Sequence, residues 1–511
     1  MNENIRKFGT APVFFTAIST ILGAILFLRF GYAVGTVGFV GVIMIIILGH
    51  LVTIPTSLAI SELATNKRVE GGGEYFIISR SFGLNIGATI GLALYLSQSI
   101  SVAFYIIAFT ETFTFLFDYI LRTYDIILFR QAISIPVMIL LSILILRKGA
   151  NLGVKALYFV VAILAISIIL FFLGHSTEAA GTDFSLANAE FRNPANFYYV
   201  FAIIFPAFTG MTAGVGLSGD LKNPAKSIPI GTISATVIGM IIYFFISYKL
   251  ANSATPDELA NDQFVMSKIA ILGWIMIPLG LAASTLSSAL GSIMVAPRTL
   301  QALANDNSFP VSKLNSWLSK AREKDNEPIN ASLVTVTIAL IFVAFGNVDI
   351  VAQIISMFFL ITYGSLCLIS FLNHFGSAPS YRPSFKSRWF ISMIGFVTSI
   401  WVMFKISAIY SLIAIVLMTI LYIYINYVHH HRKGLSSIFT NTIFQINRNL
   451  QIYLQKSTIV KQSIDWKPML FAFLRALLIV TMLLNLPIGF LQIWIWNLYS
   501  QDYRLLLQTI I

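Results

Sequence analysis

Residues Phe205 to Asp220 combine residue types that rarely share one membrane helix. Pro206 and four glycines fall within this stretch, and threonine hydroxyls lie between them. Proline removes a backbone donor, and glycine makes it easy for a helix to open. In hydrocarbon, an opened backbone is tolerated only where protein or a polar cavity satisfies it again. A helix broken here could hold a cation on its free carbonyls and an anion on its free N–H groups.

The same composition also suits a second interpretation. Glycine, alanine and threonine let membrane helices approach closely, so the stretch is equally typical of a packing seam. A similar stretch in the first hydrophobic segment, Ser19 to Arg29, favours the binding site, because it again places small and hydroxyl residues in mid-span. Paired interrupted helices in corresponding positions of two halves are typical of transporter sites. The pattern predicts a secondary transporter.

The composition predicts a polytopic membrane protein. The chain has 511 residues, of which 57% are hydrophobic and 11% are charged, whereas a soluble domain has about 25% charged residues. The formal net charge of +12 first suggests nucleic acid, but the basic residues lie in alternate loops, as the positive-inside rule predicts. The single cysteine, Cys367, excludes a disulfide within the chain. No removable signal peptide is evident after Met1.

The apolar runs predict twelve membrane helices, since about 20 apolar residues span a bilayer. They lie near 12–33, 36–61, 86–113, 131–146, 153–173, 197–217, 228–251, 268–303, 331–346, 349–371, 389–405 and 408–428. Lysine and arginine are concentrated in the loops that face inside if the N-terminus is cytoplasmic, with Arg122, Arg130 and Arg192 as exceptions. We therefore expect a cytoplasmic N-terminus, 1–11, and a transporter domain, 12–428.

The chain turns polar after residue 428, and 429–511 is predicted to be cytoplasmic. The histidines from His429 to His431 could bind a metal, but beside two basic residues at a membrane edge they are more typical of a solvated flank. Residues 469–498 are apolar again and long enough for a further span. The sequence does not decide whether this segment crosses the membrane.

Few ionisable residues lie within the predicted spans, where they are costly and usually functional. Arg29 and Glu111 reach a similar depth on the outer side and could pair across a vestibule. A snorkelling arginine and an interfacial glutamate fit the charges equally well. His50 and Glu62, near the inner end of the second helix, are interpreted mainly as interfacial.

Hydroxyls and backbone groups supply the other polar atoms in mid-membrane. The side chains are Thr20, Tyr105, Thr209, Ser284, Ser287, Ser288 and Tyr363. A cation held by neutral oxygens favours a nearby anion, because opposite charges a few Å apart at low dielectric stabilise each other. Coupled binding of a cation and an anion is one hypothesis, and an uncharged or zwitterionic substrate fits equally well. The sequence contains no cysteine–histidine pair, spaced metal-ligand cluster or phosphate loop, so an enzyme is not expected.

A series of motifs extends in order over about residues 8–430. They are Phe27-Leu28-Arg29, Gly71 to Ser81, Val102 to Tyr105, Phe205 to Gly210, Ser218 to Leu221, Thr285 to Leu290, Ala296-Pro297-Arg298, Asp306-Asn307, Asn326-Glu327-Pro328, Phe358 to Tyr363 and Arg382 to Lys386. In these motifs the chain resembles the cation–chloride cotransporter family of the amino acid–polyamine–cation superfamily. The resemblance implies an all-α polytopic membrane protein with a LeuT-like five-plus-five inverted repeat. Helices 1 and 6 would be broken, the repeats would cover about 12–173 and 197–371, and helices 11 and 12, about 389–428, would lie outside them.

The resemblance also implies a set of ion sites, position by position. Potassium would be bound by Thr20, Ile21, Tyr105, Pro206 and Thr209. Chloride would be bound at an upper position by Gly23, Ala24 and Ile25, and at a lower position by Gly210, Met211, Thr212 and Tyr363. Sodium would be bound by Ser19, Leu22, Ser284, Ser287 and Ser288. Arg29 and Glu111 would form an extracellular gate.

Two features depart from the family pattern. Thr20 stands where animal members have asparagine, which leaves the choice of potassium over another cation open. Thr20 and the short N-terminus indicate a prokaryotic-type member. The region after 429 resembles only the beginning of the family's regulatory and dimerising domain, so that domain is predicted to be truncated and a homodimer stays open.

The predicted function is symport of chloride with sodium, potassium or both by alternating access in the plasma membrane. Ser287 and Ser288 favour sodium coupling, since the sodium-independent branch of the family lacks this pair. Amino acid or polyamine transport on the same fold is the alternative, and a non-transporting membrane sensor is a third interpretation. The expected partners are small inorganic ions and the lipid bilayer, with no nucleic acid and no cofactor.

Overall fold

The chain is almost entirely helical in the computed structural model, which describes residues 8–66, 72–148, 151–177, 189–216, 218, 221–322, 327–376, 381–429 and 436–458. The helices are α1 (Thr10–Ile21), α2 (Ala24–Asn66), α3 (Glu74–Phe82), α4 (Leu84–Glu111), α5 (Thr114–Tyr124), α6 (Gln131–Lys148), α7 (Asn151–Phe172), α8 (Phe197–Ile204), α9 (Met211–Val215), α10 (Pro224–Ser253), α11 (Pro256–Asn261), α12 (Val265–Ile269), α13 (Gly273–Asn305), α14 (Ser312–Leu318), α15 (Ile329–Phe345), α16 (Val348–Gly376), α17 (Trp389–Ile406), α18 (Ala408–Val428) and α19 (Ser436–Thr458). The described residues form no β-strand, only a single bridge between Phe8 and Leu221.

Eight helical segments in the described chain are long and apolar enough to cross a membrane, and three shorter helices are also apolar. The first candidate, Thr10–Asn66, extends over 57 residues and includes the first two predicted helices. Gly38 divides α2, because its φ of 76° and ψ of 170° are not helical. The chain is therefore an all-α, multi-pass membrane protein, and the count of twelve spans stays a prediction.

The buried core surrounds the ends of α1 and α9. Helix α2 packs against α10, α16 and α17, and α4 packs against α13 and α16. Helices α1 and α9 pack against each other and against α10 and α13. Apolar side chains on α18 face outward, such as Ile409 and Tyr427, which are 72% and 81% exposed. This distribution suits a bundle whose outer face contacts lipid and whose polar groups lie inside.

The single cysteine is enclosed by three helices. Cys367 on α16 is fully buried, and its sulfur lies 3.4 Å from the Thr56 hydroxyl of α2. A Cβ atom on Gly395 of α17 would lie 2.7 Å from the same sulfur. The thiol therefore has no contact with solvent in this state.

The chain divides into two compact units, Met1–Ile446 and Asn447–Ile511. The predicted limits of the N-terminal segment, the transporter domain and the repeats are finer than this division and stay predictions. The apolar segment 469–498 lies outside the described residues, as do residues 430 and 431 of the histidine run and parts of the Gly71, Ser218 and Asn326 motifs.

Candidate functional site

The first helical break lies between α1 and α2. Helix α1 ends at Ile21, Leu22 and Gly23 leave the helical path, and α2 begins at Ala24. Glycine is needed here because a Cβ atom on Gly23 would lie 2.7 Å from the Thr20 carbonyl oxygen. The last carbonyls of a helix and its first N–H groups lack partners within the helix. The predicted cation carbonyls thus lie on the α1 side of the break, and the predicted upper chloride position lies on the α2 side.

The second break lies between α8 and α9. Residues Phe205–Thr209 wind as a tighter 3-10 turn, with Pro206 as its second residue. The Thr209 hydroxyl donates to the Pro206 carbonyl at 2.8 Å, and the Thr212 hydroxyl donates to the Thr209 carbonyl at 3.1 Å. Hydroxyl groups thus satisfy carbonyls that a continuous helix would pair with backbone N–H groups. The predicted lower chloride position falls at the start of α9.

The two breaks are in direct contact. A Cβ atom on Gly210 would lie 2.6 Å from the Ile21 nitrogen and 2.8 Å from the Ala17 carbonyl oxygen. One turn further, a Cβ atom on Gly214 would lie 2.8 Å from the Val13 carbonyl oxygen. Only glycine allows two backbones to approach so closely. The fold therefore brings together the backbone groups that were predicted from two distant stretches of sequence.

Two buried tyrosines bind the carbonyls at the breaks. The Tyr363 hydroxyl on α16 donates to the Thr209 carbonyl at 2.8 Å. The Tyr243 hydroxyl on α10 donates to the Ile21 carbonyl, and it lies 3.4 Å from the Ala207 carbonyl oxygen. Tyr243 thus joins both breaks. It was not predicted from the sequence, because a tyrosine within an apolar run is usually a packing residue.

Helix α4 contributes a third tyrosine and a glutamine. Tyr105 is buried and lies near Tyr243 and Tyr363. The Gln98 side chain, also buried, donates from Nε2 to the Thr212 hydroxyl at 3.1 Å. Gln98 was not predicted, although an amide two turns before a predicted ligand on one helix could have indicated it.

The serines of the predicted sodium position lie on α13, which packs against α1. Ser284, Ser287 and Ser288 are buried, and the Ser284 hydroxyl donates to the Leu281 carbonyl at 3.0 Å. Among the described residues, the Ser288 hydroxyl has no hydrogen-bond partner. Burying a hydroxyl without a hydrogen-bond partner costs free energy, and a bound ion would supply the missing interaction.

At the end of the bundle that is predicted to face outside, Arg29 and Glu111 each have another partner. Arg29 Nε lies 2.7 Å from Asp349 Oδ1. Glu111 is buried and pairs with Arg130, and it accepts a hydrogen bond from Gln263 Nε2 at 3.2 Å. Arg29 and Glu111 are therefore not paired with each other in this state. Charge and depth fitted a pair between these residues and two unpaired residues equally well, and they could not identify Asp349 of α16 or Arg130 as the partners.

His50 and Glu62, which were interpreted mainly as interfacial, are both buried in the protein. Glu62 accepts hydrogen bonds from the hydroxyls of Ser370, Tyr381 and Ser387 at 3.1, 3.0 and 2.6 Å. These donors satisfy the carboxylate oxygens that burial removes from water. It joins α2 to α16 and to the segment before α17.

Glu74, the first residue of α3, has a different environment. It is 3% exposed, and neither carboxylate oxygen has a hydrogen-bond partner among the described residues. Burial raises the pKa of Glu74 from 4.5 to about 8. The start of a helix favours a negative charge, but this effect is smaller than the cost of burying an ionised carboxylate without a partner.

A model of the amino acid permease family matches residues 12–469, which is most of the chain. The chain belongs to the amino acid permease family. Permeases are membrane transporters and not enzymes. This membership agrees with the all-α polytopic fold and with the paired helical breaks at its centre.

Curated relatives of this permease carry transporter names. It is 31% identical over 484 residues to solute carrier family 12 member 2 of Mus musculus, which covers 83% of this chain and 39% of the relative. It is 32% identical over 481 residues to solute carrier family 12 member 1 of Mus musculus, covering 83% and 43%. It is 31% identical over 479 residues to cation-chloride cotransporter 1 of Oryza sativa subsp. japonica, covering 83% and 47%. The predicted resemblance is confirmed, and the chain spans less than half the length of each of these relatives.

Proposed function

We propose that this protein is a secondary active symporter that moves chloride together with sodium, potassium or both by alternating access. The observation that carries the proposal is the contact between the two helical breaks at Gly210 and Ile21. It brings carbonyl groups of one half-helix beside N–H groups of another within a buried region. Carbonyl oxygens suit a cation and helix N-termini suit an anion.

Each ion is assigned the residues that the resemblance implies. Potassium is bound by Thr20, Ile21, Tyr105, Pro206 and Thr209; sodium by Ser19, Leu22, Ser284, Ser287 and Ser288; and chloride by Gly23, Ala24, Ile25, Gly210, Met211, Thr212 and Tyr363. The bonds of Tyr363 and Tyr243 to carbonyls at the breaks support these assignments. The free Ser288 hydroxyl supports the sodium position. Opposite charges held close together at low dielectric stabilise each other, which couples the ions.

The outer ion pairs are proposed to form the extracellular gate. Arg29 and Glu111 keep the gating role, and their observed partners Asp349 and Arg130 would share it. A gate of this kind opens when the paired side chains separate, so that the transported ions can pass between them. We place the protein in the cell membrane with its N-terminus on the cytoplasmic side, as the loop charges indicate.

Amino acid transport is the second candidate function, and the matched family favours it by its description. A zwitterion could place its carboxylate on the N–H groups of a half-helix and its ammonium group on the carbonyls. The names of the similar cotransporters favour inorganic ions.

The deciding experiment uses the purified protein in liposomes. Chloride-36 uptake is measured with an inward sodium gradient, with and without potassium, and empty liposomes serve as the control. We expect sodium-dependent uptake, and uptake that needs both cations and is independent of membrane voltage would establish sodium–potassium–chloride symport. Uptake with sodium alone would limit the function to sodium–chloride symport. Absence of chloride uptake under every gradient, together with uptake of labelled amino acids, would replace the proposal with the second candidate.

A further inference from the structure

Glu74 is a buried carboxylate that the proposed ion sites do not use. The other buried or half-buried carboxylates of the described chain near the inner end have donors or cations beside them. The interactions are Glu62 with Ser370, Tyr381 and Ser387, Asp306 with Tyr75 and Arg80, and Glu327 with Arg298. Within the described part of the chain Glu74 has neither, because both its oxygens are buried without a hydrogen-bond partner there. Its neutral, protonated form is therefore the favoured one.

The groups around Glu74 do not neutralise it. Helix α3 packs against α2, α4, α13 and α16. Besides the pairs above, three further titratable side chains on these helices make hydrogen bonds away from Glu74. They are Tyr95 with Thr335, His374 with Ser370 and Ser387, and Tyr363 with Thr209. Burial raises the pKa of Glu74 to about 8, and no cation of the described residues offsets this effect.

Glu74 lies beside the inner end of the short helix α9. A Cβ atom on the preceding Gly73 would lie 3.4 Å from the Gly216 Cα and the Val215 carbonyl oxygen, at the end of α9. From there α9 leads back to the proposed lower chloride position over five residues, about 7.5 Å at 1.5 Å per residue. Glu74 also interacts electrostatically with Tyr363, whose hydroxyl marks that position. A charge on Glu74 therefore acts on an anion held there.

We propose that Glu74 is a proton-binding site coupled to the anion: chloride at the lower position favours its protonated form, and departure of chloride favours its ionised form. The inference rests on the proposed function. A proton from solution binds one carboxylate oxygen and changes its charge from −1 to 0. The same proton returns to solution when the carboxylate ionises, and no other bond changes.

Linkage gives the direction of the pH dependence. A bound anion disfavours the ionised carboxylate, so chloride raises the pKa of Glu74 beyond its chloride-free value of about 8. By reciprocity, protonated Glu74 strengthens chloride binding. Between the chloride-free and chloride-bound pKa values, chloride affinity falls by up to about tenfold for each unit rise in pH. Well below both values the proton is already in place, and affinity no longer depends on pH.

The test measures protons taken up as chloride binds. Sodium gluconate around the purified protein in weakly buffered detergent solution is replaced stepwise by sodium chloride, while pH is recorded. Tryptophan fluorescence follows saturable chloride binding in the same sample. At about pH 8, where half of the chloride-free carboxylates are ionised, we expect uptake approaching about half a proton per protein, and at about pH 6 almost none. Glu74→Gln should abolish the uptake, and Glu190→Gln, the same change on a side chain that is 70% exposed, should not.

The outcomes separate the two proposals. Saturable chloride binding without proton uptake at either pH overturns the proton site and leaves chloride transport intact. Uptake that persists in Glu74→Gln overturns it as well, because the proton then binds elsewhere. Absence of any chloride binding overturns both proposals. If Glu74→Gln does not fold, the comparison of the unaltered protein at the two pH values still decides the question.

Discussion

At the scale of single residues, buried hydroxyl groups differ in whether they are already bonded. The hydroxyls of Tyr243, Tyr363 and Thr209 donate to carbonyls at the helical breaks. The Ser288 hydroxyl has no partner among the described residues. The bonded hydroxyls hold the backbone in place, and the free one is available to an ion.

Substitution of Ser288 tests this distinction. Ser288→Ala should weaken sodium dependence of chloride uptake by about tenfold or more, since a ligand to a charged group contributes about 1.5–3 kcal/mol. Thermal stability should change little, because no existing hydrogen bond is lost. Chloride-36 uptake against sodium concentration measures the effect. Thr299→Ala on the same helix is the control, since it removes a hydroxyl that only bonds the Val295 carbonyl; full sodium dependence in Ser288→Ala would refute the assignment.

Substitution of Tyr243, unlike that of Ser288, should lower the stability of the protein. Tyr243→Phe removes a donor to the Ile21 carbonyl and should lower the free energy of unfolding by about 1 kcal/mol. It should also alter the cation dependence of uptake, because that carbonyl is a proposed potassium ligand. Tyr95→Phe removes another buried hydroxyl, 3.4 Å from Thr335, and should lower stability without changing ion dependence. Equal cation dependence in both variants would mean that Tyr243 is only a packing residue.

At the scale of helices, the site depends on how closely α9 approaches α1. Gly210→Ala would place a methyl group 2.6 Å from the Ile21 nitrogen, and backbone cannot move aside cheaply. We expect chloride uptake to be lost and stability to fall by about 1–3 kcal/mol. Gly291→Ala on α13 is the control, because its methyl group would lie 3.9 Å from Thr16 and Ala213. Normal uptake by Gly210→Ala would show that the two breaks need not touch.

The sequence predicted the helical breaks better than it predicted the side chains that contact them. Pro206 and the glycines around it change the backbone itself, so they marked the second break directly. Tyr243 and Gln98 were missed because their roles depend on helices distant in sequence. Arg29 was expected to be paired, but which acid faces it is decided by packing, and the structure supplies Asp349.

At the scale of the whole molecule, the outer end carries balanced charge where Arg29 and Arg130 meet Asp349 and Glu111. Asp349→Asn would leave an uncompensated positive charge there. The KM for chloride should fall by about two- to fivefold at low ionic strength, and the difference should disappear at high salt. Asp257→Asn, the same change at an exposed position, should have little effect on KM. A difference that survives high salt would point to a structural cause.

The enclosure of Cys367 between α2, α16 and α17 has a practical consequence for following the protein in cells. A membrane-impermeant maleimide should not react with the unaltered chain, so any introduced thiol would be the sole labelled position. Asp257→Cys should be labelled on intact cells, and Lys313→Cys only after permeabilisation, if the N-terminus is cytoplasmic. The reverse pattern would invert the proposed topology. Thiols placed beside the two ends of the transport path would then report which end is open as the ion gradients are changed.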